Sequence, residues 1–459
     1  MCKAWYNNII FVFCVLFLCF CRKAAEIKNE DDLNDWYSGG KQTVFITGSN
    51  AFSQSFNGMS ELKLQQHEIG DKGFAAVFNS DPNQLNYGLG PIFNNVSCGS
   101  CHIGDGRGKA PSIGEPLSSL LLRISSDNDI NNGPQATQGF GGQLQQRAIL
   151  GTSAECNIAV NYTETAFQFT DGETYSLRTP VYTLNNPYTT LPAGYLISAR
   201  MATPVFGLGL LEAISETDIL KNADELDENG DGISGKANYG YNVLENKKQL
   251  GRFGWKAAMP TIIQQSAGAY NQDMGITNFI FPIESSYGQL QYTLSNGKKD
   301  LADSTLSAVA FYIKTLAVPG RRDANNDEVK KGKNIFKQIG CAKCHIQTFI
   351  TQTNMTSPET SNQRIFPYTD MLVHDMGNGL ADNRNDFNAT GNEWRTAPLW
   401  GIGLTNIVNG HNNFLHDGRA RNFIEAIMWH SGEADATKNN FKNLSKTERD
   451  AVIKFLNSL

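Results

Sequence analysis

Two short stretches of this chain hold residues that can do chemistry together. Cys98-Gly-Ser-Cys101-His102 is repeated as Cys341-Ala-Lys-Cys344-His345. Two residues between the thiols put both sulfurs on one side of a helical turn, where they can form thioethers to the two vinyl groups of a haem. The adjoining histidine then offers its imidazole to the iron as proximal ligand. A zinc ribbon would want its two C-x-x-C pairs about 15–20 residues apart, whereas most of this chain lies between them. A redox dithiol would leave the two following histidines unexplained. The spacing predicts two covalently bound c-type haems, held by Cys98, Cys101 and His102 and by Cys341, Cys344 and His345.

Other residues offer weaker chemistry. Asp227-x-Asn229-x-Asp231-Gly232 places oxygen ligands at positions 1, 3 and 5 of an EF-hand-like loop and glycine at position 6. Position 12 is Asn238 rather than Glu, so the bidentate closure of a calcium site is missing and a metal-free Asx turn competes. Glu212 stands in the apolar run Leu210-Leu-Glu-Ala-Ile214, where burial would raise its pKa and suit it to acid–base work. Gln143 and Gln145 are further candidates there. Cys156 reads as a buried thiol.

The elements around the motifs are also duplicated. Gly70-x-x-x-Phe74 and Gly332-x-x-x-Phe336 precede the two cysteine pairs on helical patterns. Amphipathic helices with similar residues follow, over Leu301–Leu316 and Leu444–Leu459. This predicts a mainly α fold of two tandem cytochrome c-like domains, the first enlarged by a mixed α/β, loop-rich insertion. The insertion carries β-like runs at Leu120–Ile124, Asn157–Tyr162 and Tyr175–Leu184. The expected divisions are a signal peptide at 1–21, a flexible linker at 22–45, an N-terminal haem domain at 46–318, a polar linker at 319–328 and a C-terminal haem domain at 329–459.

Composition fits a folded, loop-rich globular protein and excludes other classes. The chain has 459 residues, nine cysteines, 40% hydrophobic residues and a net charge of −6. It has no basic excess to neutralise nucleic-acid phosphates. Four of the cysteines fall within the first 21 residues, so the chain is no disulfide scaffold. The apolar run Ile9–Phe20 suits a signal peptide and is too short to span a bilayer. Leu18-Cys-Phe-Cys21 resembles a loose bacterial lipobox, which would make Cys21 a lipid anchor. The expected location is the periplasm or the outer membrane, where cytochrome c maturation machinery would attach the haems.

The chain resembles the bacterial di-haem oxidoreductases, a family described as peroxidases or thiol oxidoreductases and related to the di-haem cytochrome c peroxidases. The likeness covers roughly residues 65–459 and runs through Gly88–Cys98, His102–Gly108, Gly209–Ile214, Phe253–Ala257, His374–Gly377, Arg395–Gly401, Leu415–Ala420 and His430–Ala434. In the related peroxidases a methionine fourteen residues after the His of an H-D-G block ligates the C-terminal haem. Counted from His416, that position here is His430. Phe423, Ile427 and His430 share a helix face, while Met428 points elsewhere. The resemblance thus implies His345/His430 coordination, with Met376 as next choice. Histidine in place of methionine would lower the haem potential. His416 and Arg419 would hold a propionate. No sixth ligand for the N-terminal haem stands out except His67, which leaves that iron open to a reactant. By the same analogy Trp255 would relay electrons between the haems. The implied activity is peroxidase-like, with a small electron-transfer protein and a small oxidant or thiol as partners. Thiol or sulfur oxidation, oxidation of a partner protein's side chains, and simple electron carriage are the alternatives.

Overall fold

The computed structural model describes residues 34–129, 133–292 and 300–459. The apolar leader, Cys21 and residues 22–33 of the expected linker lie outside them. Among the described residues, no helix is long and apolar enough to cross a membrane.

Helix α1 (Glu61–Ala75) starts where the Ser60 side chain accepts a hydrogen bond from the Lys63 amide, and it buries His67, Gly70 and Phe74. One turn, α2 (Cys98–Cys101), carries the first cysteine pair. Strand β1 (Leu120–Ser125), the hairpin β2 (Asn157–Gln168) and β3 (Thr174–Asn185), and strand β4 (Leu196–Met201) follow, with β4 antiparallel to β1. Helices α3 (Ile262–Met274) and α4 (Asp303–Lys314) complete the N-terminal part. Beyond it come α5 (Asp327–Gln338), the paired strands β5 (Val373–Asp375) and β6 (Glu393–Arg395), α6 (Phe423–Trp429) and α7 (Lys446–Ser458).

The glycines of the two G-x-x-x-F stretches explain the duplicated helices. A methyl added at Gly70 would lie 2.1 Å from the Ala308 carbonyl oxygen on α4, and one at Gly332 would lie 1.9 Å from that of Ala451 on α7. Each glycine lets two helix backbones touch. The phenylalanine one turn on then meets an aromatic ring, Phe74 on Tyr312 at 5.5 Å and Phe336 on Phe455 at 5.1 Å between centroids. The same contact therefore occurs twice, once beside each cysteine pair.

The expectation of a mainly α fold is wrong. In the structure helix accounts for 29% and strand for 20%, the strands of the described residues spread over small sheets. Every sheet among the described residues is two-stranded. The insertion is where the α reading fails: its alternating runs extend into a hairpin twelve residues on each side. Only one end of that hairpin is buried in its own lobe, so it reads as polar from sequence.

The hairpin is an arm. Near its tip Phe169 and Leu177 enter the C-terminal core with Phe441. Arg449 of α7, its side chain buried, reaches Asp171 at 2.8 Å and Glu173 at 2.7 Å and lies over the Phe169 ring. Arg178 donates to the Arg419 and Gly418 carbonyls at 2.8 and 3.1 Å. At the other side, Thr43–Val44 pairs in parallel with Val318–Pro319. Asp35 accepts from Arg321 and Lys333 and from the Tyr368 hydroxyl. The segments 35–45 and 319–328 are thereby pinned by Lys333, Tyr368 and one another.

Gly332→Ala tests the backbone contact. Overpacking by one methyl costs about 1–3 kcal/mol, against a gain of about 1 kcal/mol in helix propensity. Because a carbonyl oxygen of α7 cannot move aside alone, the variant should unfold at lower urea. A stabilised variant would show that the helices do not meet as described.

Candidate functional site

Each C-x-x-C-H stretch forms a tight turn that aims its imidazole inward. Ser97 caps the first turn through the Ser100 amide at 3.1 Å. The second turn opens at Gly340, whose φ of +103° is open to glycine at little cost. His102 places Nδ1 2.6 Å from the Thr203 carbonyl oxygen, and His345 places Nδ1 2.9 Å from that of Tyr368. A carbonyl only accepts, so Nδ1 carries the hydrogen and the Nε2 lone pair is left for a metal. Burial keeps both rings neutral: it pushes the His102 pKa down and that of His345 down to about 4.

The thiols are not activated. Burial pushes Cys98, Cys101 and Cys341 up to about 12. Zinc thiolates and reactive dithiols need the opposite environment. Cys156 is buried beside Glu155 and is likewise pushed up to about 12.

A cavity of about 430 Å³ opens beside the first motif, lined by Cys98, Cys101 and His102. Phe52, Phe74, Val205, Ile313 and Trp400 give it apolar walls, while Arg107, Arg123, Arg200, Lys256, Arg384 and Arg395 outnumber Asp273 and Asp386 on its polar side. Thiols for two vinyls, a pinned imidazole for iron, flat apolar walls and buried guanidinium groups for carboxylate arms are the donor set a haem requires. The residues fit that group. Arg107, Lys256 and Arg395 stand in the stretches His102–Gly108, Phe253–Ala257 and Arg395–Gly401, whereas Arg123 on β1, Arg200 on β4 and Arg384 in the loop before β6 had no motif to mark them. Lys256 is fully buried, with Nζ donating to Asp382 at 2.8 Å and to the Arg384 and Thr390 carbonyls at 2.7 and 2.6 Å.

At the second motif a further histidine converges. His430 donates from Nδ1 to the Ala426 carbonyl at 2.7 Å, leaving its Nε2 lone pair free as well. Its ring acts electrostatically on that of His345, pushing the His345 pKa further down, while burial pushes its own down. Helix α6 ends at Trp429, so His430 is the cap residue, with φ −59° and ψ 134°, and not part of the Phe423–Ile427 face. Met376 instead packs against the cluster containing Trp255 and Trp394.

His374, which spacing did not single out, is the best-anchored side chain here. Its Nε2 lies 2.7 Å from Asp370 and its Nδ1 2.7 Å from Glu433, with the Cys344 sulfur 3.7 Å away. Both nitrogens face carboxylates, so both carry hydrogens and the ring is an imidazolium with no lone pair for a metal. Burial opposes that charge, but the hydrogen bonds to Asp370, Cys344 and Glu433 outweigh it and hold the pKa well above its usual value. The signal was present in the H-D-M-G and H-S-G-E stretches, which supply His374 and Glu433.

Other predicted residues are placed as follows. Trp255 lines the cavity and donates to the Met201 carbonyl at 2.8 Å. His416 is outside the cavity wall, stacked on Trp394 at 3.7 Å and edge-on to Trp255 at 6.4 Å. Arg419 donates to Asp417 at 2.8 Å and to the Gly379 carbonyl at 2.6 Å. Glu212 accepts from the Ile262 amide at 2.8 Å and pairs with Lys314 at 2.7 Å, so it caps α3 outside the cavity wall. His67 bonds Thr315 at 2.8 Å and is not in the cavity wall. Gln143 and Gln145 both donate to the Gln272 carbonyl in the last turn of α3, at 3.2 and 2.5 Å. In the candidate calcium loop, the Gly232 amide donates to both Asp227 oxygens at 3.1 Å, Asn229 accepts from the Asp231 amide, and Asp231 pairs with Lys343 at 3.0 Å. Those oxygens serve the loop itself.

The His374 cation makes a pH prediction. A pKa raised on folding contributes stability that is complete below the unfolded value of about 6.5 and lost as pH rises through the folded value. His374→Gln also strands two buried carboxylates, which should cost roughly 3–5 kcal/mol. The cost, read by urea unfolding, should be largest at about pH 6 and shrink by about pH 9. A pH-independent difference would show that His374 is not charged.

No curated protein matches this chain. Over residues 34–459 it matches the family model described as "Di-haem oxidoreductase, putative peroxidase". This protein, with two cysteine-pair turns and their pinned imidazoles, belongs to the di-haem oxidoreductase family.

Proposed function

We propose that the protein is an exported c-type di-haem oxidoreductase with peroxidase-type activity. One observation carries this reading: both turns present a neutral imidazole with a free Nε2, but only the second has another such imidazole beside it. Cys98, Cys101 and His102 would hold one haem, and Cys341, Cys344, His345 and His430 would hold the other. The bound groups supply one-electron storage at the second site and peroxide reduction at the first.

The chain's own residues do the rest. Thr203, Tyr368 and Ala426 fix ring orientation, as outer hydrogen bonds do at metal sites. The cavity guanidiniums bind carboxylate arms, and the apolar walls exclude water. The His374 cation offsets part of the negative charge of Asp370 and Glu433 beside Cys344. Electrons have an aromatic route from the cavity wall: Trp255 meets His416, His416 stacks on Trp394, and Trp394 pairs across strands with His374, which touches the Cys344 sulfur. A small electron-transfer protein would deliver the electrons. Cys21 would tether the exported chain to a membrane after haem attachment by the maturation machinery.

Mass spectrometry of the holoprotein should show two covalent haems, and electron paramagnetic resonance should show one low-spin centre and one that binds cyanide. His430→Ala should turn the low-spin centre high-spin with both haem masses retained; an unchanged spectrum rejects that ligand. Two ligand-inert low-spin centres without peroxide turnover would make the protein an electron carrier. Turnover only with low-molecular-weight thiols would make it a thiol oxidoreductase.

A further inference from the structure

The duplicated helix contact is not chemically equal in its two copies. In the first, the ring that meets Phe74 is Tyr312, four residues after Ala308. In the second, the ring that meets Phe336 is Phe455, four residues after Ala451. Three residues after the motif histidine stands Asp105 in the first copy and Thr348 in the second. The Tyr312 hydroxyl donates to Asp105 Oδ1 at 2.8 Å, and both side chains are buried. In the second copy the ring has no hydroxyl, and the buried Thr348 Oγ1 has no hydrogen-bond partner among the described residues. Helix packing needs only the ring, as Phe455 shows, so the phenol and its acid are an addition confined to the N-terminal site.

The addition is placed for redox chemistry. Phe74 lines the cavity with Cys98 and His102. Its ring centroid is 6.1 Å from that of His102 and 5.5 Å from that of Tyr312. Tyr312 thus stands one ring behind the cavity wall. Besides Asp105, its hydroxyl meets Asp71, which is exposed on α1. His67 packs against its ring at 4.7 Å. Asp105 also takes a hydrogen bond from Ser53 and makes no salt bridge among the described residues. A phenol gives up an electron more easily when its proton has a base to go to, and negative charge beside it favours that loss. At Phe455 the nearby charge has the opposite sign, the Arg321 guanidinium lying 5.1 Å from the ring centroid.

We propose that Tyr312 is a one-electron donor to the N-terminal site, with Asp105 as the base for its proton. The proposal rests on the peroxidase reading. Reduction of ROOH to ROH and water breaks the O–O bond and takes two electrons and two protons. One electron is the N-terminal site's own, and both protons come from solvent. When the second site has no electron to give, Tyr312 supplies the other. Its O–H bond breaks: the electron goes to the N-terminal site and the proton to Asp105, leaving a neutral phenoxyl radical and a neutral carboxylic acid. The electron-transfer protein then returns one electron to the radical, and Asp105 returns the proton.

The test mixes oxidised holoprotein, produced with and without ring-deuterated tyrosine, with hydrogen peroxide and freezes it for electron paramagnetic resonance. The wild type should show an organic radical whose hyperfine structure collapses on deuteration. Tyr312→Phe, which copies the residue at Phe455, should keep both haem masses and lose that signal. Asp105→Asn should slow its appearance by roughly 10²-fold or more, and Asp105→Glu should recover much of the rate. A wild type that consumes peroxide without a tyrosyl radical, or a Tyr312→Phe variant with the radical unchanged, would overturn the proposal and leave the peroxidase reading standing. A wild type inert to peroxide would overturn that reading instead. Photogenerated ruthenium(III) tris-bipyridine, a one-electron oxidant, then decides the site: a tyrosyl radical lost in Tyr312→Phe keeps it, and any other result rejects it.

Discussion

Which nitrogen of a neutral histidine is free for a metal depends on which one carries the hydrogen, and a hydrogen-bond acceptor decides that. In this protein the acceptor is a backbone carbonyl each time: Thr203 for His102, Tyr368 for His345 and Ala426 for His430. Each bond fixes the tautomer and turns Nε2 into the free nitrogen. Burial then keeps the rings neutral. His374 is the contrast. Its two nitrogens meet two carboxylates, so the same side chain becomes a cation beside the second cysteine pair. Four imidazoles acquire two different chemistries from their acceptors alone.

Those acceptors must be held still, and the fold does this by tying its two parts together. Tyr368, whose carbonyl pins His345, also donates through its hydroxyl to Asp35 near the start of the described chain. Asp35 in turn gathers Arg321 and Lys333. The hairpin arm grips α7 through Arg449 and braces the Gly418–Arg419 backbone through Arg178. That backbone adjoins His416, the ring between Trp255 and Trp394. A polar insertion thus contributes to two hydrophobic clusters, Ile158 to one and Phe169 and Leu177 to the other, against which Cys341 also packs.

Much of the helical framework was legible because it is periodic. The G-x-x-x-F stretches and the paired amphipathic helices fall where periodicity places them, and the glycines owe their identity to one backbone contact used twice. The proportion of helix was not legible, because a half-exposed hairpin alternates polar and apolar residues over only part of its length. At the site, Trp255, which analogy would make an electron relay between the haems, lines the first cavity. Glu212 was read as a buried acid from its apolar neighbours, yet its carboxylate faces an amide and a lysine. Neighbours in sequence do not fix what a side chain meets across the fold.

The sequence by itself determined the cofactor class. Two thiols and an imidazole within five residues are a local arrangement that any turn can present. Tertiary structure alone decided which nitrogen of each ring is free, that His374 is charged, which cations line the first cavity, and that His430 stands by His345 while no second histidine lines the cavity at His102. Protonation and ligation depend on acceptors and charges within a few ångströms, and here those arrive from residues far apart along the chain.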